Sequence, residues 1–276
     1  MIFDTHAHYD DKAFDEDREE ILAALHPAGI GLAADVAASR DSLERVLSLA
    51  HGHDFIYAVL GLHPDYASEL DEETIACLER DLADPKVVAV GEIGLDYYWN
   101  KASREVQAAA FRTQIDLALS RRMPIVIHSR EAAQDTLAIV REKYGRGTAG
   151  AALEQKGVMH CYSYSVEQAR IYTRELGFYL GIGGVVTFKN ARKLKEVVAD
   201  TDLDFLVLET DCPYLAPVPF RGKRNSSLLL PYVVRAIAEI KGVTPEEVEA
   251  RTEANARRMY GLDGRQSRVP GSGSKG

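Results

Sequence analysis

The amino-acid sequence predicts a single (β/α)8 TIM barrel followed by two C-terminal helices. Three observations carry this expectation. Eight short apolar, β-branched runs alternate with helical segments, the pattern of parallel βα units. The turn after the first run reads His6-Ala7-His8-Tyr9 rather than the glycine-rich phosphate loop that opens a doubly wound sheet. Histidines and carboxylates then recur at the carboxyl ends of the runs, where barrels build their sites.

The predicted strands are 2–5, 32–36, 56–61, 87–91, 124–128, 157–160, 178–182 and 205–209, spaced as in a barrel of about 250 residues. Between the first two, Asp17 and Glu20 offer a capping box to a helix with Ile21, Leu22 and Leu25 on one face, stopped by Pro27 and Gly29. After the eighth, Val233, Val234, Ile237 and Ile240 stripe one helix, and Thr244-Pro245-Glu246-Glu247 opens another with an N-cap, a first-turn proline and an N3 glutamate. Residues 1–262 are expected to form one domain. Residues 263–276, Gly/Ser-rich from Ser267 onward, are expected to be a disordered tail and in part an expression remnant.

Composition excludes several classes. With 46% apolar and 27% charged residues the 276-residue chain reads as globular, and no run approaches the ~18 to 20 apolar residues of a spanning helix. A soluble, monomeric, cytoplasmic protein without a membrane partner is expected. The net charge of −9 argues against gripping long nucleic acid by counterion release, though a confined site could still act on phosphates. Cys77, Cys161 and Cys212 form no C-x-x-C pair and read as small core residues.

The chemistry lies in six residues. His6 and His8 share one face of the first strand by its two-residue period. Glu92, His128 and His160 close the fourth, fifth and sixth strands, and Asp211 follows the eighth. One catalytic zinc takes about three protein ligands, so six imply two divalent ions, zinc, magnesium or manganese. A carboxylate bridges two cations better than an imidazole does, which makes Glu92 the bridge, with His6, His8 and Asp211 around one ion and His128 and His160 on the other. Asp211 can also accept the proton of an attacking water, so Asp211 and Glu92 are the expected catalytic pair. His51-Gly52-His53 repeats the H-x-H spacing but precedes the third strand, so it is expected in a solvated loop at the opposite end.

These segments resemble a known family. His6-Ala7-His8, Gly91-Glu92-Ile93-Gly94-Leu95-Asp96, His128-Ser129-Arg130, His160-Cys161-Tyr162-Ser163 and the run from Glu209 to Pro217 are similar, in order, to the motifs of the TatD family of metal-dependent deoxyribonucleases in the amidohydrolase superfamily. Gly61-Leu62-His63-Pro64 and Arg221-Gly222-Lys223-Arg224-Asn225 also resemble family segments. The resemblance implies a (β/α)8 barrel, divalent metals at the named positions and phosphodiester hydrolysis, often as a 3′ to 5′ exonuclease.

Around these residues lie candidate substrate contacts. His63 closes the third strand and could hydrogen-bond a phosphate, while Glu209 could orient a ligand from behind. Between Cys212 and Ala238 there is no Asp or Glu, but Arg221, Lys223, Arg224 and Arg235 occur. This basic lip, with Arg221 and Arg224 as substrate-binding residues, would supply local positive potential for a nucleic-acid end or a nucleotide. Tyr97, Tyr98 and Trp99 read equally as a base-stacking platform or as packing. The alternatives are a metal-dependent hydrolase of another ester, a phosphotriester or an amide, and a non-catalytic, metal-loaded interaction protein.

Overall fold

A computed structural model describes residues 1–263, so the expected tail lies, but for Asp263, outside the described residues. All eight predicted runs are strands of one parallel sheet: β1 (Ile2–Ala7), β2 (Ile30–Val36), β3 (Ile56–Leu60), β4 (Val87–Asp96), β5 (Ile125–Arg130), β6 (Gly157–Met159), β7 (Tyr179–Ile182) and β8 (Leu206–Leu208). They pair in sequence order into a nearly closed barrel. Each is followed by a helix: α1 (Arg18–Leu25), α2 (Arg40–Gly52), α3 (Glu72–Asp81), α4 (Arg104–Arg121), α5 (Ala133–Tyr144), α6 (Val166–Arg170), α7 (Arg192–Asp200) and α8 (Leu230–Lys241). The second C-terminal helix, α9 (Pro245–Met259), starts as expected, with the Thr244 hydroxyl accepting the Glu247 N–H. Among the described residues no helix is long and apolar enough to cross a membrane.

Strand alternation sorts the core into two layers. One face of every strand, with Phe3, Val59, Val126 and Val207 among others, packs inside the barrel against Ala256, Met259 and Tyr260 from the end of α9. The other face, with Ile2, Ile56, Ile125 and Leu206, packs under the surrounding helices. The aromatic end of α9 thus fills the amino end of the barrel, and the Tyr260 hydroxyl donates to the Thr5 carbonyl.

The barrel has a seam. Among the described residues β8 and β1 form no ladder, and one isolated bridge joins Ala7 to Cys212, four residues past the end of β8. Side chains and loop amides stitch the gap: Thr5 Oγ1 donates to the Leu208 carbonyl, Thr210 Oγ1 to Asp4 Oδ2, and the Asp211 N–H to the His6 carbonyl. Asp4 is fully buried there, and burial raises its carboxyl to about 7 against the pull of its hydrogen bonds from Ser227 and Thr210.

Several local readings need correction. β4 continues to Asp96 and β5 to Arg130, so Glu92 and His128 lie within strands rather than at their ends. His51 sits in the last turn of α2, not in a loop. Asp17 precedes α1 without capping it, because Arg224 takes its carboxylate.

Candidate metal centre

His6 on β1 and His8, one residue past its end, reach the same point, their Nε2 atoms 3.2 Å apart. The Nδ1–H of His8 donates to the Val36 carbonyl at 2.7 Å, which turns a bare Nε2 toward its neighbour. Two ring nitrogens this close sit comfortably only with a proton or a cation between them. Glu92 Oε2 stands 3.4 Å from His6 Nε2, and Asp211 Oδ1 stands 3.5 Å from His8 Nε2. A tetrahedral ion with bonds of ~2.0 to 2.1 Å separates its ligand atoms by about 3.3 Å. The donor set therefore fits a divalent cation in both chemistry and spacing.

The second Glu92 oxygen faces a different group. Oε1 is 2.8 Å from His128 Nδ1, 3.8 Å from His160 Nε2 and 4.0 Å from His63 Nε2. Glu92 thus divides its two oxygens between the His6/His8 pair and the His128/His160 pair. Asp211 reaches across as well, 3.7 Å from His160 Nε2.

Buried carboxylates behind the histidines hold their orientation. His160 Nδ1 donates to Glu209 Oε2 at 3.1 Å, and the other Glu209 oxygen accepts the Cys161 N–H. A Cβ on Gly181 would lie 2.0 Å from Glu209 Oε2, so only glycine leaves room for that carboxylate. His128 Nε2 meets Asp96 Oδ2 at 3.0 Å. Hydrogen-bonded carboxylates of this kind fix the ring and the tautomer of a ligating histidine.

The electrostatics match a cation-binding cluster. Burial works against ionisation of Glu92, but the neighbouring His160 and His6 and the bond from His128 hold its carboxyl well below the usual range. Burial likewise lowers His8, His128 and His160, but the carboxylates around them prevail and raise the three rings to about 9, 9 and 10. His6, fully buried and stacked on His160, is lowered by burial and by that neighbour.

His63 has the opposite polarity. Its Nδ1 accepts the Asp65 N–H at 3.1 Å, so the neutral ring carries its proton on Nε2, the atom turned toward Glu92. Burial, then the charge of His128, lowers it to about 4. His63 presents a hydrogen-bond donor to the centre, where His8 and His160 commit their Nδ1–H groups to Val36 and Glu209 and turn Nε2 inward.

The basic lip divides in two. Arg221 lies over the Phe188 ring at 4.6 Å, whereas Arg224 pairs with Asp17, donates to the Ala13 carbonyl and covers Phe14. Two residues of the site escape sequence reasoning. Asp96 shares the Glu92 face of β4 at i+4, a signal available only if the strand is carried past Gly91. Cys161, read as core, lies within 4.8 Å of ligand atoms of His160 and Asp211, and burial with the surrounding carboxylates keeps its thiol well above the usual range. Cys161 and Asp211 both adopt left-handed backbone, with φ of 45° and 56°. Such conformations cluster where a site fixes side-chain direction.

Comparison with known proteins places this centre in a family. The model of TatD-related DNases matches residues 3–261. The metal-dependent hydrolase YabD of Bacillus subtilis is 42% identical over 95% of this chain and its own full length. The 3′-5′ ssDNA/RNA exonuclease TatD of Erwinia tasmaniensis is 31% identical over 95% of this chain and its own full length. The crystal structure of YJJV, a TatD homologue of Escherichia coli K12, superposes with a TM-score of 0.86 at 30% identity, covering 94% of this chain and 98% of that one. With a match along essentially the whole barrel, the chain belongs to the TatD-related DNase family of hydrolases.

Proposed function

We propose that the protein hydrolyses phosphodiester bonds at the end of a single nucleic-acid strand, using two divalent ions. The observation that carries this reading is Glu92, one oxygen toward His6 and His8 and the other toward His128 and His160. His6, His8 and Asp211 would hold one ion and His128 and His160 the other, with Glu92 between them. Bound there, divalent ions would polarise a phosphoryl oxygen and lower the pKa of water.

The remaining chemistry belongs to the chain. A water oxygen bonds to phosphorus as the bond to the departing sugar oxygen breaks. Asp211, ionised and adjacent, accepts the proton of that water. His63 donates its Nε2–H to the phosphoryl group or the departing oxygen. Arg221, held over Phe188, is assigned the positive potential of the lip, and Arg224 anchors the lip through Asp17. The exonuclease names of relatives such as the Erwinia protein agree with this substrate class.

A hydrolysis screen of single-stranded DNA, duplex DNA and small uncharged esters, each with zinc, magnesium or manganese, tests the reading. Metal-dependent shortening of single strands is expected, with two ions per chain by metal analysis. Faster turnover of the uncharged ester would replace the nuclease reading with a general esterase.

A further inference from the structure

Large apolar side chains are seldom exposed on this barrel, and where they are, they gather at its mouth. Five of the seven exposed among the described residues lie on the loop after β4, the strand that carries Glu92, and on the loop after β8, which itself carries Asp211. Tyr98 and Trp99 are 51% and 58% exposed, although apolar surface of that size is ordinarily buried when nothing binds it. Their neighbour Tyr97 shows the packed alternative, its hydroxyl donating to Asp135 and its ring covered by Arg104.

This exposed pair is held, not loose. The backbone N–H groups of Tyr98 and Trp99 both donate to Asp96 Oδ1, at 2.9 and 2.8 Å. The other Asp96 oxygen meets His128 at 3.0 Å. One buried carboxylate therefore sets the position of two aromatic residues relative to a ligand of the metal centre. The rings stand edge to face, 5.0 Å apart at 85°, and form a corner. Arg130, two residues beyond His128, lies 4.0 Å over Tyr98 and 5.7 Å from Trp99, and makes no ion pair among the described residues.

From this arrangement we infer that Tyr98, Trp99 and Arg130 form a stacking subsite for a nucleobase next to the scissile phosphate. The inference rests on the phosphodiesterase reading above and narrows its substrate. Planar aromatic faces beside a guanidinium recognise a base and its phosphate together. A base inside a duplex has both faces taken by its neighbours, so the subsite admits only an unpaired strand end.

Trp99 is the single tryptophan of the chain and reports the contact directly. On stopped-flow mixing with a short oligothymidylate its fluorescence is quenched, while the same strand lacking its last two bases leaves it unchanged. In steady state the wild type has a KM about tenfold higher for the abasic strand, the scale of one base–aromatic stack. Trp99→Ala treats the two strands alike, and Trp99→Phe restores most of the preference. Absent quenching, or a base preference that survives in Trp99→Ala, overturns the subsite. If base-dependent quenching occurs but neither strand is cut, the nuclease reading falls and the subsite stands. If both are cut at equal rates without quenching, the reverse holds.

Discussion

The chain carries the same histidine spacing twice, and the two copies share almost nothing else. His6 stands on β1 and His8 directly follows it, still in the alternation that puts residues two apart on one face, and their Nε2 atoms converge on Glu92 and Asp211. His51 and His53 straddle the end of α2, where residues two apart point in different directions. His51, half exposed, pairs with Asp84 at 2.9 Å, while His53 sits against Phe55 and faces Glu19 at 3.5 Å. An H-x-H motif has chemical meaning only through the backbone period beneath it and the end of the barrel it occupies.

This contrast can be broken or sharpened in four ways. The largest effect is expected from paired substitution: His6→Ala with His8→Ala lowers metal-dependent hydrolysis by roughly three orders of magnitude. His51→Ala with His53→Ala stays within about twofold, as an exposed pair should. Equal losses in initial-rate assays would remove the distinction.

Asp211→Asn keeps shape and removes basicity, so turnover falls by roughly two orders of magnitude or more at saturating metal. Near-wild-type turnover would deny Asp211 the proton. Each end of the barrel also has a carboxylate behind a histidine, Glu209 behind His160 and Asp84 beside His51. Glu209→Gln should weaken metal affinity by about 10- to 100-fold in a competition titration, and Asp84→Asn should not change it.

The smallest effect is a count of protons. Without metal, the surrounding carboxylates raise His8 and His128 to about 9 and His160 to about 10, so protons compete with a cation for these rings at neutral pH. A cation must displace those protons, so affinity rises with pH and release fades as the solution passes through 9 to 10. Calorimetry in two buffers of different ionisation enthalpy should show up to three protons released at pH 7. No release would mean that these rings are not ligands.

Much of the barrel was legible because each strand is a short apolar run between helix signals, and all eight fell where expected. The extension of β4 was not, since Gly91, Glu92 and Gly94 are weak strand residues. Gly94 belongs there because φ is +149° and a Cβ would lie 1.9 Å from the His128 carbonyl, so this close approach of β4 to β5 requires its absence. Gly94→Ala should cost about 2 kcal/mol or more in denaturant unfolding.

The six candidate ligands were legible because each lies toward or just beyond the carboxyl end of an apolar run, and the structure brings them together, although Glu92 and His128 turn out to lie inside longer strands. Their supports were hidden wherever the partner is distant in sequence. Asp17 carries every local mark of a helix cap, yet Arg224 claims it from the far side of the chain. Nothing within four residues of Asp17 announces that competition.

The seam between β8 and β1 has a thermodynamic consequence. An ion held by His6, His8 and Asp211 would cross-link the first strand to the segment after the last, closing a loop of roughly 200 residues where the backbone forms one isolated bridge and a few loop hydrogen bonds rather than a ladder. Cofactor and circular closure would then be one equilibrium. Chelation should lower the melting temperature by an amount that depends on free metal concentration, as ligand linkage requires, and Asp211→Ala should abolish most of that dependence.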